Sequence, residues 1–597
     1  MARTDKRTSI DNLASQAESA ARKGDQGSVY RITRLVCGKY KGNNEVPIKN
    51  KDGQLLTSEK EQESRWAEHF KEILNRPPPT TIPTILDSET DLNINTDPPR
   101  DHEITKAIKL LKNGKAPGQD NLSAEMFKTD PELAAKILKP LFEKIWNNKE
   151  VPSDWTKGTI VKIPKKGPLN DCNNWRGITL LSIPSKIMAR IILQRITNAI
   201  DMKIRKEQPG FRKGRGCADQ IFALRNIIEQ CTEWQRQLYI NFVDFQKAFD
   251  SIHRDSLWRI LRAYGIPQDI VLLIKSFYRN FTCKVGNSNI MFEVKTGVRQ
   301  GCVMSALLFN LVIDWIMRRT TEDEQRGIRW TLFSSLEDLD FADDLALLAH
   351  THRHIQDKTT RLNTFSQQVG LNISKTKTEV MTLNVNNPKA VNLNGTEPPI
   401  TDIFTYLGST ITTTGGTSVD IYRRINKARN IFRMLNNVWR STDYSAKTKL
   451  KLYQSCVLST LLYGSECWSM TEKDLNSLCV FHNKNLRRIM RIFWPLTVTN
   501  AELYKQTGQE SMEVILLRKR WRWIGHVLRR DRNTIVKTAL HWTPEGKRKR
   551  GRPRNTWRRT VEAELEKMNH SWGTIERKAQ DRQAWESFVA ALHAKLV

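Results

Sequence analysis

The stretch Leu339-Asp340-Phe341-Ala342-Asp343-Asp344-Leu345-Ala346-Leu347-Leu348 sets two adjacent acids in the middle of an apolar run. Apolar residues on both sides of so short a polar interruption are the pattern of a β-hairpin that exposes the acids at its turn. A polar hairpin tip would be the plain reading. However, carboxylates flanked by buried strands repel one another and lose hydration, so they are most easily accommodated where a divalent cation neutralises them. Ninety-nine residues before Asp343, the run Leu238-Tyr239-Ile240-Asn241-Phe242-Val243 reads as a buried strand that delivers Asp244 at its end, followed by Phe245-Gln246-Lys247-Ala248-Phe249-Asp250. Taken alone, an acid at a strand end is a turn former or a helix cap. Taken together, the three acids suit phosphoryl transfer with two metal ions roughly 4 Å apart, one activating the attacking 3′-hydroxyl and the other stabilising the departing pyrophosphate.

Outward from these segments, 96 Lys+Arg against 64 Asp+Glu give a net charge of +32, which favours a polyanionic partner, nucleic acid foremost. At 597 residues the chain needs several lobes, each with a core. Uncharged apolar stretches such as Leu452 to Ser465 fall short of the roughly 18 residues of a membrane span, so no membrane partner is expected. The segment Met1 to Gly27 is polar without an apolar h-region, which argues for an intracellular protein. Nine cysteines from Cys37 to Cys479 contain no C-x-x-C pair, so neither a disulfide framework nor a zinc knuckle is spelled out. Cys456, Cys467, Cys479 and His482 could meet in space, but buried thiols are the simpler expectation. His350, His352 and His354 have no acid or Cys at ligand spacing and read as polar loop residues.

Two Pro-rich joints, Arg76-Pro77-Pro78-Pro79 and Asp97-Pro98-Pro99-Arg100, set off a polar N-terminal arm, and the folded core is expected to start near Glu103. Helical patterns over Ile104 to Leu111 and Ile183 to Ile200 alternate with strand-like pieces such as Thr159 to Ile163, an α+β arrangement. Three acid-punctuated strand signals follow between Leu238 and Met381. Another, over Phe404 to Ile411, leads into helical sequence to about Cys479 and then into a tail rich in Trp and Arg.

The segments now carry a resemblance. Phe341-Ala342-Asp343-Asp344 resembles motif C of reverse transcriptases, and Val243 to Asp250 their motif A. Gly297-Val298-Arg299-Gln300-Gly301-Cys302-Val303-Met304-Ser305 resembles motif B; after it Leu307, Leu308, Leu311, Val312, Trp315 and Ile316 recur at helical spacing as core packing. Gly370-Leu371-Asn372-Ile373-Ser374 through Lys377-Thr378-Glu379 resembles motif D, and Tyr406-Leu407-Gly408 the start of the primer grip. Upstream, Lys115 to Asp120, Trp175 to Leu181 and Gln208-Pro209-Gly210-Phe211-Arg212-Lys213-Gly214-Arg215 resemble segments of reverse transcriptases from non-LTR retrotransposons, of LINE type, with RTE-like and jockey-like elements as candidates. The resemblance covers about residues 101 to 480, and an ordered set is far more specific than any single motif.

The resemblance implies a right-hand polymerase of α+β class. Its parts would be an N-terminal arm and linker (1–100), N-terminal extension and fingers (101–237), a ferredoxin-like palm (238–400), primer grip and helical thumb (401–480), and a basic, mainly helical nucleic-acid-binding region (481–597). It implies RNA-directed DNA synthesis with two Mg²⁺ ions, Mn²⁺ being a possible substitute, held by Asp244 and Asp343 with Asp344 as the third acid, and Asp250 structural. Phe249 would exclude a ribonucleotide 2′-hydroxyl, with a core Phe as the alternative. Gln300 and Gly301 would touch the incoming nucleotide, Gly301 permitting close backbone approach; Val303 and Ala306 stand where many relatives carry Pro. Lys165 or Lys166, with Arg176, would neutralise the triphosphate, and Lys377 would act as general acid, against a solvated basic face in each case. Arg212, Lys213 and Arg215 would contact nucleic acid. Partners would be an RNA template, a DNA primer at nicked target, deoxynucleoside triphosphates, and a separate endonuclease, because the first hundred residues are too few and too polar for one. A decayed or domesticated fold that only binds nucleic acid, and an intron maturase, remain as rivals.

In the tail, Arg and Lys interleave with Trp521, Trp523, Trp542 and Trp557, a mixture that suits stacking on unpaired bases or a small packed helical domain equally. Within Lys547-Arg548-Lys549-Arg550-Gly551-Arg552-Pro553-Arg554, the Arg550, Arg552 and Arg554 side chains resemble those of an AT-hook that enters the minor groove. A nuclear localisation signal or a flexible basic loop fits the same residues. The expected location is the nucleus, with a cytoplasmic ribonucleoprotein phase.

Overall fold

The computed structural model of the chain describes residues 2–37, 46–548, 550–551 and 553–592. In chain order the strands are β1 (Ile48–Lys49), β2 (Leu55–Leu56), β3 (Lys157–Pro164), β4 (Trp175–Leu180), β5 (Leu238–Val243), β6 (Thr282–Val285), β7 (Phe292–Glu293), β8 (Ile328–Arg329), β9 (Ser335–Leu336), β10 (Asp338–Phe341), β11 (Asp344–Ala349), β12 (Glu379–Leu383), β13 (Ile403–Tyr406) and β14 (Ser409–Thr412). Helices fill the intervals, so the fold is α+β. The sheet that matters for the site runs β10-β11-β5-β12, with each neighbouring pair antiparallel. A second sheet runs β4-β3-β6-β7, with β3 and β6 parallel.

Side chains alternate across the first sheet as a pleat requires. Tyr239, Val243, Leu345 and Leu347 enter one core, while Ile240, Phe242, Ala346, Leu348 and Met381 enter another on the opposite face. Helices Ser305–Thr321 and His352–Gln368 cover the first face. The second face packs against helix Cys217–Glu233 and against the C-terminal helices Met512–Leu528, Ile535–His541 and Trp557–Lys567. Burial on both faces is why β5 reads as an apolar run broken only by Asn241, whose side-chain amide donates to the Thr359 hydroxyl. The helical readings hold: Asp101–Lys109 and Ile183–Asp201 are helices, and Leu308, Leu311, Val312, Trp315 and Ile316 line the buried side of Ser305–Thr321.

Three expectations are corrected, and the open alternative for the tail tryptophans is decided. The core does not begin near Glu103. Helices Ala2–Arg22 and Gln26–Val36 bury Ala14, Ala17, Val29 and Ile32 in one core with Tyr453 and Cys456, and Trp66 and Phe70 of helix Glu59–Leu74 belong to the main core. The strand signal over Phe404 to Ile411 is a hairpin, β13 with β14, because Leu407 and Gly408 both take positive φ (47° and 79°), the backbone of a two-residue turn. His352 and His354 lie in the first turn of helix His352–Gln368, capped by the Thr351 side chain, while His350 stays outside it and faces the Gln237 carbonyl. The tail tryptophans are core residues. Trp521, Trp542 and Trp557 are buried against the sheet, and their indole N–H groups donate to Glu564, the Arg329 carbonyl and the Glu466 carbonyl, so no base stacks on them. Trp523 is half-buried 4.6 Å from Phe222.

The thiol expectation holds: Cys456 and Cys467 are buried and Cys479 half-buried. His482 turns to the Tyr453 hydroxyl at 3.0 Å. No helix among the described residues is long and apolar enough to cross a membrane.

Candidate active site

The β10–β11 hairpin pairs Phe341 with Asp344, leaving Ala342 and Asp343 as its turn, with Ala342 at φ 58°. The neighbouring ladder pairs Leu345 with Val243. One step beyond it, Asp344 and Asp244 stand opposite each other at the ends of adjacent strands, with Asp343 at the turn beside them. Sequence positions a hundred residues apart thus meet because β11 and β5 are neighbours. The backbone beyond β5 is held by a third segment: the Ser374 N–H donates to the Asp244 carbonyl and the Gln246 N–H to the Asn372 carbonyl, both at 2.8 Å.

The acids feel one another. Although the Asp344 side chain reaches solvent, its carboxyl is pushed up to about 6, by burial first and then by Asp343 and Asp244. Burial also raises Asp343, with Asp244 adding to it and Arg176 and Lys377 opposing. The Lys377 ammonium donates to Asp244 Oδ2 at 2.8 Å. Among the described residues no three His, Cys, Asp or Glu side chains are gathered as donors around an ion. The donor chemistry nevertheless suits a hard divalent cation: three carboxylates meet at one sheet end, Asp343 and Asp344 are raised by burial first and then by neighbouring acids, and one ammonium compensates Asp244.

A cationic rim accompanies the acids. Arg176 lies opposite Ile163 on paired β4 and β3. Burial, then the charge of Arg176, holds Lys165 below the usual lysine range. Lys247 was missed as a site residue, although it lies three positions after Asp244; burial, then Lys165, brings it down to about 8. Asp250 sits behind this rim. Burial raises it to about 6, with the Gln300 amide, Lys247, Arg76 and Lys165 opposing.

Other expected residues fall differently. The Gln300 Nε2 donates to Asp250 Oδ1 at 2.8 Å, so its side-chain amide is engaged within the protein, and its backbone carbonyl accepts from the Thr179 N–H at 2.7 Å. Gly301 does permit a close approach, but to β4: at φ 128° a Cβ there would lie 2.2 Å from the Thr179 carbonyl oxygen. Phe249 is half-buried, stacked on Phe309 at 4.2 Å with Phe211 edge-on at 6.4 Å. Arg212 is corrected from nucleic-acid contact to a structural tie. Its guanidinium donates to Asp201 Oδ1 and to the carbonyls of Asp201, Arg205 and Gln208, and its side chain is only 6% exposed. Lys213 is exposed and Arg215 half-exposed, with one bond to the Lys206 carbonyl. Arg550 and Arg554 are exposed, and Arg554 reaches the Thr414 carbonyl at 3.4 Å. Arg552 lies outside the described residues.

Residues 163–411 match the family described as reverse transcriptase (RNA-dependent DNA polymerase). The chain therefore carries a reverse-transcriptase domain, and that domain contains Asp244, Asp343 and Asp344. The chain is similar to proteins of mobile elements. It is 26% identical over 549 residues to the probable RNA-directed DNA polymerase from transposon BS of Drosophila melanogaster, covering 88% of this chain and 59% of that protein. It is 25% identical over 525 residues to the RNA-directed DNA polymerase from mobile element jockey of the same organism, covering 83% and 55%. It is also 25% identical over 407 residues to the retrovirus-related Pol polyprotein from type-1 retrotransposable element R2 of Popillia japonica, covering 65% and 54%. The chain thus spans less than two thirds of the length of each of these relatives.

Proposed function

We propose that this chain is an RNA-directed DNA polymerase of a non-LTR retrotransposon, copying RNA into cDNA from a DNA primer at a nicked target with deoxynucleoside triphosphates as substrate. The observation that carries the reading is the meeting of Asp244, Asp343 and Asp344 at one sheet end, inside a reverse-transcriptase domain. In this reading the β10-β11-β5-β12 sheet and its helices are the palm (238–400). Residues 101–237 form the N-terminal extension and fingers, 401–480 the primer grip and thumb, and 481–597 a basic nucleic-acid-binding region.

Asp244 and Asp343, with Asp344, would hold two Mg²⁺ ions, or Mn²⁺ in their place, which when bound neutralise phosphate charge and ease ionisation of the 3′-hydroxyl. Arg176 and Lys165 receive the triphosphate, the planar guanidinium binding phosphate oxygens in pairs. Lys377 Nζ, already on Asp244, holds a proton where pyrophosphate departs. The Phe249 ring, fixed by its stack on Phe309, fills the space a 2′-hydroxyl would need. Gln300 acts through Asp250 and keeps the loop before helix Ser305–Thr321 against β4. Lys213 and Arg215 offer phosphate contacts, and the segment 547–554 serves nuclear entry or minor-groove contact.

The test is RNA-templated primer extension with Mg²⁺ by the wild type and Asp244→Asn. The wild type extends the primer, and the variant retains RNA on a filter while losing about 10²- to 10³-fold in rate, the scale of removing a principal charge-stabilising group. A wild type that retains RNA but extends nothing favours the binding-only reading.

A further inference from the structure

We propose that Gln208 is a positioning residue that sets the catalytic turn from behind, an inference that rests on the polymerase reading above. Gln208 is fully buried, and its amide bonds the backbone of the residue immediately before Asp343. Its Oε1 accepts from the Ala342 N–H at 2.8 Å and from the Gly210 N–H at 3.0 Å. Its Nε2 donates to the Ala342 carbonyl at 3.3 Å. One amide therefore grips both polar groups of a residue that adopts φ 58° without being glycine, a conformation an L residue keeps only when its surroundings impose it. The two N–H donors facing Oε1 also fix which way round the amide lies.

The loop that carries Gln208 is itself clamped. Gly210 lets it touch the turn, since a Cβ there would lie 2.6 Å from the Ala342 nitrogen. Asn310 Nδ2 donates to the Gly210 carbonyl at 2.6 Å, and Arg212 donates to the carbonyls of Gln208 and Arg205. The Arg205 guanidinium pairs with Asp338 at 2.9 Å and Asp340 at 2.6 Å on β10, both acids fully buried. Residues 205–212 thus hold one arm of the hairpin through charge and its tip through the Gln208 amide. A donor group aimed at the acids would shift their charge; this one fixes only where the turn sits, so its loss should loosen the metal donors without removing any of them.

The experiment uses the full chain with Gln208→Met, which keeps length and burial but loses both kinds of hydrogen bond, and Gln208→Glu. Mn²⁺ binding is followed by the electron paramagnetic resonance signal of the free ion, alongside kcat and the nucleotide KM in primer extension, melting temperature and RNA retention. We expect Gln208→Met to stay folded, melting somewhat below the wild type because the Ala342 and Gly210 N–H groups lose their acceptor, and to retain RNA nearly as the wild type does. Its Mn²⁺ affinity should fall about tenfold or more and its kcat about 100-fold, with KM within about twofold. In Gln208→Glu a protonated carboxyl reproduces the donor and acceptor of the amide, so its activity relative to wild type should rise as pH is lowered. The inference is overturned by a folded Gln208→Met with wild-type Mn²⁺ affinity and kcat. It is equally overturned if Gln208→Met loses stability and RNA retention together and Gln208→Glu shows no recovery at low pH. A wild type that neither binds Mn²⁺ nor extends a primer overturns the polymerase reading, and this inference with it.

Discussion

Asp344 is charged at a cost when no cation is bound. Its folded value near 6 lies above the ordinary carboxylate range, so between about pH 4 and 6 the native state holds a proton that the unfolded chain has released. The stability tied to this group is therefore complete at low pH and lost as pH rises through about 6. Asp344→Asn should accordingly melt a few degrees above the wild type at pH 8 while losing activity, with the gap closing as pH falls from 6 toward 4. Added Mg²⁺ should narrow the gap at pH 8 by stabilising the wild type more than the variant, which keeps only Asp244 and Asp343 as donors. A gap independent of pH would contradict this origin. Phe249→Val opens space at the proposed sugar contact, and discrimination against ribonucleotides should fall by about tenfold or more, read from single-nucleotide incorporation; unchanged discrimination would return Phe249 to the core. At this scale the acids were legible in the sequence because each ends or interrupts an apolar run. Arg212 was not: the acid it ties to is eleven residues away in a different element, and the carbonyls it binds have no sequence signature. Lys247 has no such signature: its lowered value comes from burial first and then from Lys165, which lies just past the end of β3, far away in the sequence.

The elements that bear the site were readable in advance, since β5 and the β10–β11 hairpin are short apolar runs closed by polar residues. Which strands would be neighbours was not, and the order β10-β11-β5-β12 is what turns distant acids into one cluster. The loop before helix Ser305–Thr321 shows how an element can be right and its contact different: Gly301 is needed for packing against Thr179 of β4. Gly301→Ala must either move β4 or abandon φ 128°, and should cost at least about 2 kcal/mol in denaturant unfolding. A loss near zero would mean the loop yields freely. The paired helices at residues 2–36 escaped notice because their buried stripe is made largely of small residues, Ala14 and Ala17 among them, amid polar sequence.

At the scale of the whole molecule, the C-terminal region is part of the fold that supports the acids. Interleaved Trp and Arg give the same pattern whether the rings meet bases or a core, and only the shared burial of Trp521, Trp557 and Trp585 with Ile240 and Phe242 decides for the core. Removing residues 512–597 strips one face of the catalytic sheet, so the truncated chain should be insoluble or unfolded by circular dichroism. A soluble, active 1–511 fragment would show that the sheet does not need that cover. The central claim is that these three acids, on this sheet, synthesise DNA on RNA. It is tested most directly by RNA-templated primer extension with Mg²⁺ and deoxynucleotides, comparing the wild type with an Asp343→Ala and Asp344→Ala double variant of equal RNA retention. The account predicts cDNA from the wild type and none from the variant; equal synthesis by both, or none from a folded wild type that retains RNA, would contradict it.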